Sequence, residues 1–168
     1  FYQDNGYLRV KVLEPKIDIN KKDHQIHIII PVEEGPQFHI NSIEVKGDNT
    51  IPHDEIKKSI LTKKGAIYNV SQLRQDIVTV TDMYSSKGFA YADINPITKI
   101  DDQIHTVDLS IDIDKGKKVY VGEINMLGNL KTKDNVIRRE FRLKEGEVFD
   151  GTKLKRSKQR ITNLNYFE

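Results

Sequence analysis

Phe38-His-Ile-Asn-Ser-Ile-Glu-Val-Lys-Gly-Asp48 returns 81 residues later as Val119-Tyr-Val-Gly-Glu-Ile-Asn-Met-Leu-Gly-Asn129. A fixed internal period defines an architecture before any single motif does. The match continues without a gap through Ile56 and Ile137, Gly65 and Gly146, Tyr68 and Phe149, and Leu73 and Leu154. It also extends backwards. Pro15 precedes Pro96 by 81 residues, while Tyr2, Gly6 and Tyr7 precede Tyr84, Gly88 and Phe89 by 82. Three units follow: residues 1–35 as the end of one, 36–116 as a whole one, and 117–168 as the beginning of the next.

The whole unit has a definite element order. Phe38–Val45 is rich in β-branched residues and closes on Gly47-Asp48-Asn49, which predicts a strand. Thr50 is a cap candidate and Pro52 suits a first helical turn. Asp54 and Glu55 then sit where a helix dipole favours acids, and Ile56 and Ile60 share a face until Lys64-Gly65 stops the helix. In the second helix, Asn69 or Ser71 supplies the cap. Val70, Leu73, Ile77, Val80 and Tyr84 form one apolar stripe, and Gly88 suits a left-handed end.

Two strands complete the unit. Tyr91–Lys99 contains Pro96, which removes a ladder donor and sends that strand to a sheet edge. Val107, Leu109, Ile111 and Ile113 alternate with Asp108, Ser110, Asp112 and Asp114, one face buried and one wet. Asp101-Asp102-Gln103 supplies the hairpin turn. The fold class is therefore α+β, a β-α-α-β-β repeat in which two helices cover one face of a three-stranded mixed sheet. The last strand lies between the other two.

Composition narrows function. The 168 residues are 37% hydrophobic and 31% charged, with no cysteine and no apolar run of the roughly 20 residues a membrane helix needs. The chain begins at Phe1 with no signal-like segment, which reads as a piece of a larger protein. Residues 117–168 hold 13 Lys/Arg against 7 Asp/Glu, about +6, whereas residues 1–116 hold 14 against 18, about −4. Nucleic-acid binding would use Lys153, Lys155, Arg156, Lys158 and Arg160, but no aromatic residues interleave with them for stacking. His53-Asp54-Glu55 point in different directions on a helix and cannot converge on one metal ion. The histidines His24, His27, His39 and His105 show no partner spacing, and three of them fall in strand segments. Asp108, Asp112 and Asp114 lack the loop glycine and closing glutamate of a calcium loop. With no nucleophile-elbow, phosphate-loop or zinc-protease pattern, the expectation is no enzyme, no metal and no cofactor.

The element order, the Gly47-Asp48 and Gly128-Asn129 strand ends, the KKGAIYN and KEGEVFD turns and the second-helix ends Tyr2–Tyr7 and Tyr84–Phe89 resemble POTRA domains, the polypeptide-transport-associated repeats. Within that family, Val136–Leu154 is similar to the barrel-proximal repeat of outer-membrane protein assembly factors. The resemblance implies a periplasmic arm of an outer-membrane protein, joined to a membrane β-barrel, that binds and positions rather than catalyses. It implies that unfolded outer-membrane proteins add as strands to open sheet edges, here Leu8, Arg9, Val10, Lys11 and Val12, and Tyr91, Ala92, Asp93 and Ile94. It implies a lipoprotein partner at Arg138, Arg139 and Glu145. A POTRA-like module of another secretion or division system is the alternative. Tyr166-Phe167-Glu168 and Phe1-Tyr2 fall at nearly the same point of the period, so half units of two molecules are expected to complete each other by exchange.

Overall fold

The computed structural model describes residues 1–20, 24–129 and 132–164, leaving the side chain of Asn20 aside; the terminal Tyr166-Phe167-Glu168 lies outside them. After a 3-10 turn at Tyr2–Asn5 come β1 (Lys11–Val12), β2 (Lys16–Asn20), β3 (Gln25–Ile29), β4 (Val32–Glu33) and β5 (His39–Gly47). Next follow α1 (His53–Ser59), α2 (Val70–Ser85), β6 (Asp93–Asp101), β7 (Thr106–Asp114), α3 (Asp134–Arg138) and α4 (Gly151–Thr162). The three-stranded sheet has the order β5-β7-β6, so the strand carrying Pro96 is an edge and the alternating strand is central, as the proline predicts.

The chain forms two compact units. One comprises Phe1–Glu44, Leu61–Gln75 and Ile97–Ser110; the other comprises Val45–Ile60, Asp76–Pro96 and Ile111–Glu168. In the first, Phe38, Ile40, Tyr68, Leu73, Val107 and Leu109 are buried. In the second, Val45, Ile51, Ile56, Ile60, Val80, Tyr84, Ile94, Ile111 and Ile113 are buried, with Ile137 and Leu143 nearby in sequence order. All four predicted apolar positions of β7 are therefore in the core.

The sequence period reappears bond for bond. Ile40 N–H donates to Ala66 O, Gly65 N–H to Ile40 O and Tyr68 N–H to Phe38 O. At 81 residues further on, Val121 N–H donates to Glu147 O, Gly146 N–H to Val121 O and Phe149 N–H to Val119 O. The bridge His39–Ile67 has its counterpart in Tyr120–Val148. Asn69 Oδ1 caps α2 from Gln72 N–H at 2.7 Å, and Asp150 Oδ1 caps α4 from Lys153 N–H at 2.9 Å. Backbone strain recurs too: Gly65 and Gly146 share φ 81°, and His24 and His105, also 81 apart, are both left-handed at φ 52° and 54°. The two histidines sit in hairpin turns, so two histidines rather than three, His27 and His39, lie in strands.

Several local expectations are corrected. Thr50 does not cap α1; the N-cap is Pro52, and the Thr50 hydroxyl instead accepts from Lys115 Nζ at 2.8 Å. Helix α1 ends at Ser59, not at Gly65. Ile60 turns extended (φ −80°, ψ 148°) while its N–H still bonds Ile56 O, and burial of the Ile60 side chain holds it there. Gly65 serves a turn pinned to β5 rather than a helix end. The penultimate strand of the whole unit runs Asp93–Asp101, two residues later than predicted.

In the partial units the same pattern meets missing neighbours. Ile17 pairs with Ile28 and Ile19 with Ile26 across β2 and β3, which puts the four on one face. They remain 59–63% exposed, whereas Val107 and Leu109, one period after Ile26 and Ile28, are essentially inaccessible. Residues 119–126, one period after β5, form no strand, only the bridge at Tyr120. A strand needs a ladder partner, and the position equivalent to β7 lies beyond residue 168.

Candidate partner-binding surfaces

Three surfaces carry the residues singled out by sequence. Leu8, Arg9 and Val10 lie in the turn that follows the left-handed Gly6, where Leu8 N–H bonds Gly6 O at 3.0 Å. Lys11 and Val12 form β1 and pair with Glu33 and Val32. Arg9 is engaged: its guanidinium forks onto Asp102, with Nε–Oδ1 at 2.8 Å and Nη2–Oδ2 at 2.7 Å. That hydrogen bond holds the Asp102 carboxyl below its ordinary range and raises Arg9 further.

Tyr91 and Ala92 lead into β6, which begins at Asp93. Tyr91 is 81% exposed, and Ile94 turns into the core. Beyond Ile94 the strand is exposed at every position to Asp101. Among the described residues, β6 pairs only with β7, so its outer backbone edge is open.

Arg138 and Glu145 come together around one peptide. Arg138 Nη2 donates to Ile124 O at 2.9 Å, and Ile124 N–H donates to Glu145 Oε1 at 2.9 Å. The two side chains approach to 3.5 Å. The Ile124 N–H bond, helped by Arg138, holds the Glu145 carboxyl low. The pair stands on the rim of a recess of about 290 Å³ whose apolar lining includes Ile124, Met126, Phe141 and Leu143. Arg139 belongs to a different group. Its Nε lies 3.3 Å from Glu140 Oε1, and Arg160 takes Glu140 Oε2 at 2.7–2.8 Å. Arg160, seconded by Arg139, depresses the Glu140 carboxyl.

Ser157 and Glu140 were missed by sequence reasoning. Ser157 is fully buried; its hydroxyl accepts from Arg142 N–H and donates to Lys153 O, both at 2.8 Å. A signal existed: Asp76, one period earlier, is likewise a buried polar residue on an apolar helical face. Glu140 gave no comparable signal, because its partner Arg160 is twenty residues distant.

A β-α-α-β-β unit that recurs with its hydrogen bonds defines a class of scaffold repeat. The POTRA family model, described as a surface antigen variable number repeat, matches residues 38–116 and 119–168, and the chain belongs to that family. It is 36% identical over 169 residues to the outer membrane protein assembly factor BamA of Neisseria meningitidis serogroup B, an alignment that takes in all of this chain and 21% of the relative. It is 32% identical to BamA of Nitratidesulfovibrio vulgaris, over 98% of this chain and 21% of that protein. The chain thus spans about a fifth of the length of these relatives. The crystal structure of Haemophilus influenzae BamA POTRA3-5 superposes with a TM-score of 0.82 at 21% identity, over 99% of this chain and 66% of that one. That likeness establishes the fold. A POTRA chain of this kinship lies on the periplasmic side of the outer membrane.

Proposed function

We propose that the chain is a binding arm of an outer-membrane protein assembly factor, built from the end of one POTRA unit (1–35), a whole unit (36–116) and the beginning of the next (117–168). Unfolded outer-membrane proteins add as a strand along β6 at Tyr91, Ala92, Asp93 and Ile94, and secondarily along Leu8–Val12. An assembly-complex lipoprotein docks at Arg138, Arg139 and Glu145, and the parent's β-barrel receives the client. No chemistry on the client is involved. The open outer edge of β6 is the observation that carries this proposal. Main-chain pairing at an edge is tolerant of side-chain sequence, as a receptor for many clients requires. Arg138 and Glu145 support the second part, because a polar pair rimming an apolar recess is the usual form of a docking centre. The uncovered Ile17–Ile28 face fits exchange of half units, with residues 117–168 of a second copy supplying the cover; a concentration-independent monomer mass would exclude it.

The test is NMR shift mapping of the chain with an unfolded outer-membrane-protein peptide and, separately, a DNA oligonucleotide, at low and physiological salt. Peptide shifts along Tyr91–Ile94 that persist when charges are screened are the expected result. DNA shifts confined to Lys153–Arg160, with no response to the peptide, would replace this function with nucleic-acid binding.

A further inference from the structure

The largest cleft in the residue 117–168 segment has a volume of about 620 Å³ and lies outside the three surfaces above. Its lining is Arg142, Lys153, Arg156, Gln159 and Arg160. One period earlier, the same positions are Leu61, Gln72, Gln75, Val78 and Thr79. Exposure agrees at each of the five pairs: 61 and 142, 75 and 156, and 78 and 159 are exposed, while 72 and 153, and 79 and 160, are half-buried. The fold therefore accepts a neutral set at this place, and four cations there are not a requirement of packing.

The cleft is held in shape. Ser157 ties the Arg142 backbone to α4, and Asp150 caps that helix. Two of the cations have carboxylate partners at the margin, Lys153 with Glu147 at 3.4 Å and Arg160 with Glu140 at 2.7 Å. Among the described residues, Arg142 and Arg156 have none. Lys155 faces elsewhere and is bound to Asp82 at 2.6 Å.

We propose that this cleft binds an acidic segment of a protein partner, with Arg142 and Arg156 as the primary carboxylate receptors. Lys153, Arg156 and Arg160 run along α4 over roughly 10 Å, from the rise of an α-helix. An extended peptide presents same-face side chains about every 7 Å, so two or three carboxylates match that row. A single phosphate is too small to engage all of it. A bilayer surface is flat, whereas these cations line a concave cleft. Guanidinium groups also favour forked pairing with carboxylates, as Arg9 and Arg160 already do in this chain.

The probe is a fluorescein-labelled ten-residue peptide of alternating Ser and Glu, with a Ser-Gln peptide as control, measured by anisotropy against the full chain. The double variant Arg142→Leu, Arg156→Gln installs the residues the whole unit carries at those positions, so folding has a precedent, and circular dichroism checks it. Its affinity should fall roughly three- to tenfold, the weight of two exposed ion pairs. Lys155→Gln with Lys158→Gln removes the same charge from elsewhere on α4 and should leave binding unchanged. Equal losses in both double variants would reduce the effect to net charge and overturn the proposal. So would inorganic phosphate, phosphatidylglycerol vesicles or duplex DNA binding the cleft more tightly than the Glu peptide.

Discussion

Gly47→Ala tests the packing of the central sheet at its tightest point. Gly47 has φ +83°, and a Cβ built there would lie 2.2 Å from Ile113 O and 3.0 Å from Ile113 C and N. The obstacle is backbone of the central strand, and Ile113 O already accepts from Asp48 N–H at 2.9 Å. Relief therefore requires parting β5 from β7 at that end and bending this hydrogen bond. The left-handed conformation costs about 1–2 kcal/mol for a residue with a Cβ. Overpacking against an immobile neighbour adds roughly 1–3 kcal/mol, for a total on the order of 2–5 kcal/mol. Gly65→Ala is the control, because Gly65 has φ +81° and nothing within 4 Å of its Cβ position. It should lose only the conformational part, about 1–2 kcal/mol. Urea unfolding followed by far-ultraviolet circular dichroism measures both. Equal losses for the two variants would refute the steric argument, leaving conformation alone as the reason for glycine at 47.

Three further outcomes are expected. Burial alone would raise the Asp48 carboxyl, but hydrogen bonds from Lys115 and Thr50 outweigh it and hold the group at about 2, against 3.8 unperturbed. A depressed folded value stabilises above the unfolded pKa, so on the order of 1–2 kcal/mol present above pH 4 should be lost as pH falls towards 2; Asp48→Asn should flatten an acid titration in that window. Leu109→Ala removes a fully buried side chain of β7 and should cost about 2–5 kcal/mol in the same urea assay. Glu145→Ala leaves Ile124 N–H without its acceptor, and hydrogen exchange at that amide should quicken about fivefold, corresponding to roughly 1 kcal/mol of local protection.

What could be read from the chain itself divides along a physical line. Period and alternation are local properties, and they specify β7, the edge position of the Pro96 strand and the glycine turns, all of which the structure contains. The end of α1 was not readable, because Lys64-Gly65 is a plausible stop while the real one is the demand that Ile60 be both buried and extended. Clamping of the Ile124 peptide was equally hidden, since Arg138 and Glu145 reach it from 14 and 21 residues away only after the chain has closed. Residues 119–126 carry the composition of β5 yet form no strand, which shows that propensity is expressed only when a ladder neighbour exists.

The repeat also separates what the fold demands from what it leaves open. Positions that shape the backbone agree between copies: Gly47 with Gly128, Gly65 with Gly146, and the cap residues Asn69 with Asp150. Positions that diverge do so in charge. Arg138 and Glu145 stand where the whole unit has Lys57 and Lys64, two cations that cannot form such a pair. The α4 cleft is cationic where the earlier copy is neutral. Both changes fall in residues 117–168, the segment whose formal charge is about +6, and both leave the shared hydrogen-bond pattern intact. Selection for folding alone gives no reason for two substitutions of charge on a common backbone. Recognition does, and it directs partner mapping to this unit, with β6 of the preceding unit left for clients that bind through backbone pairing.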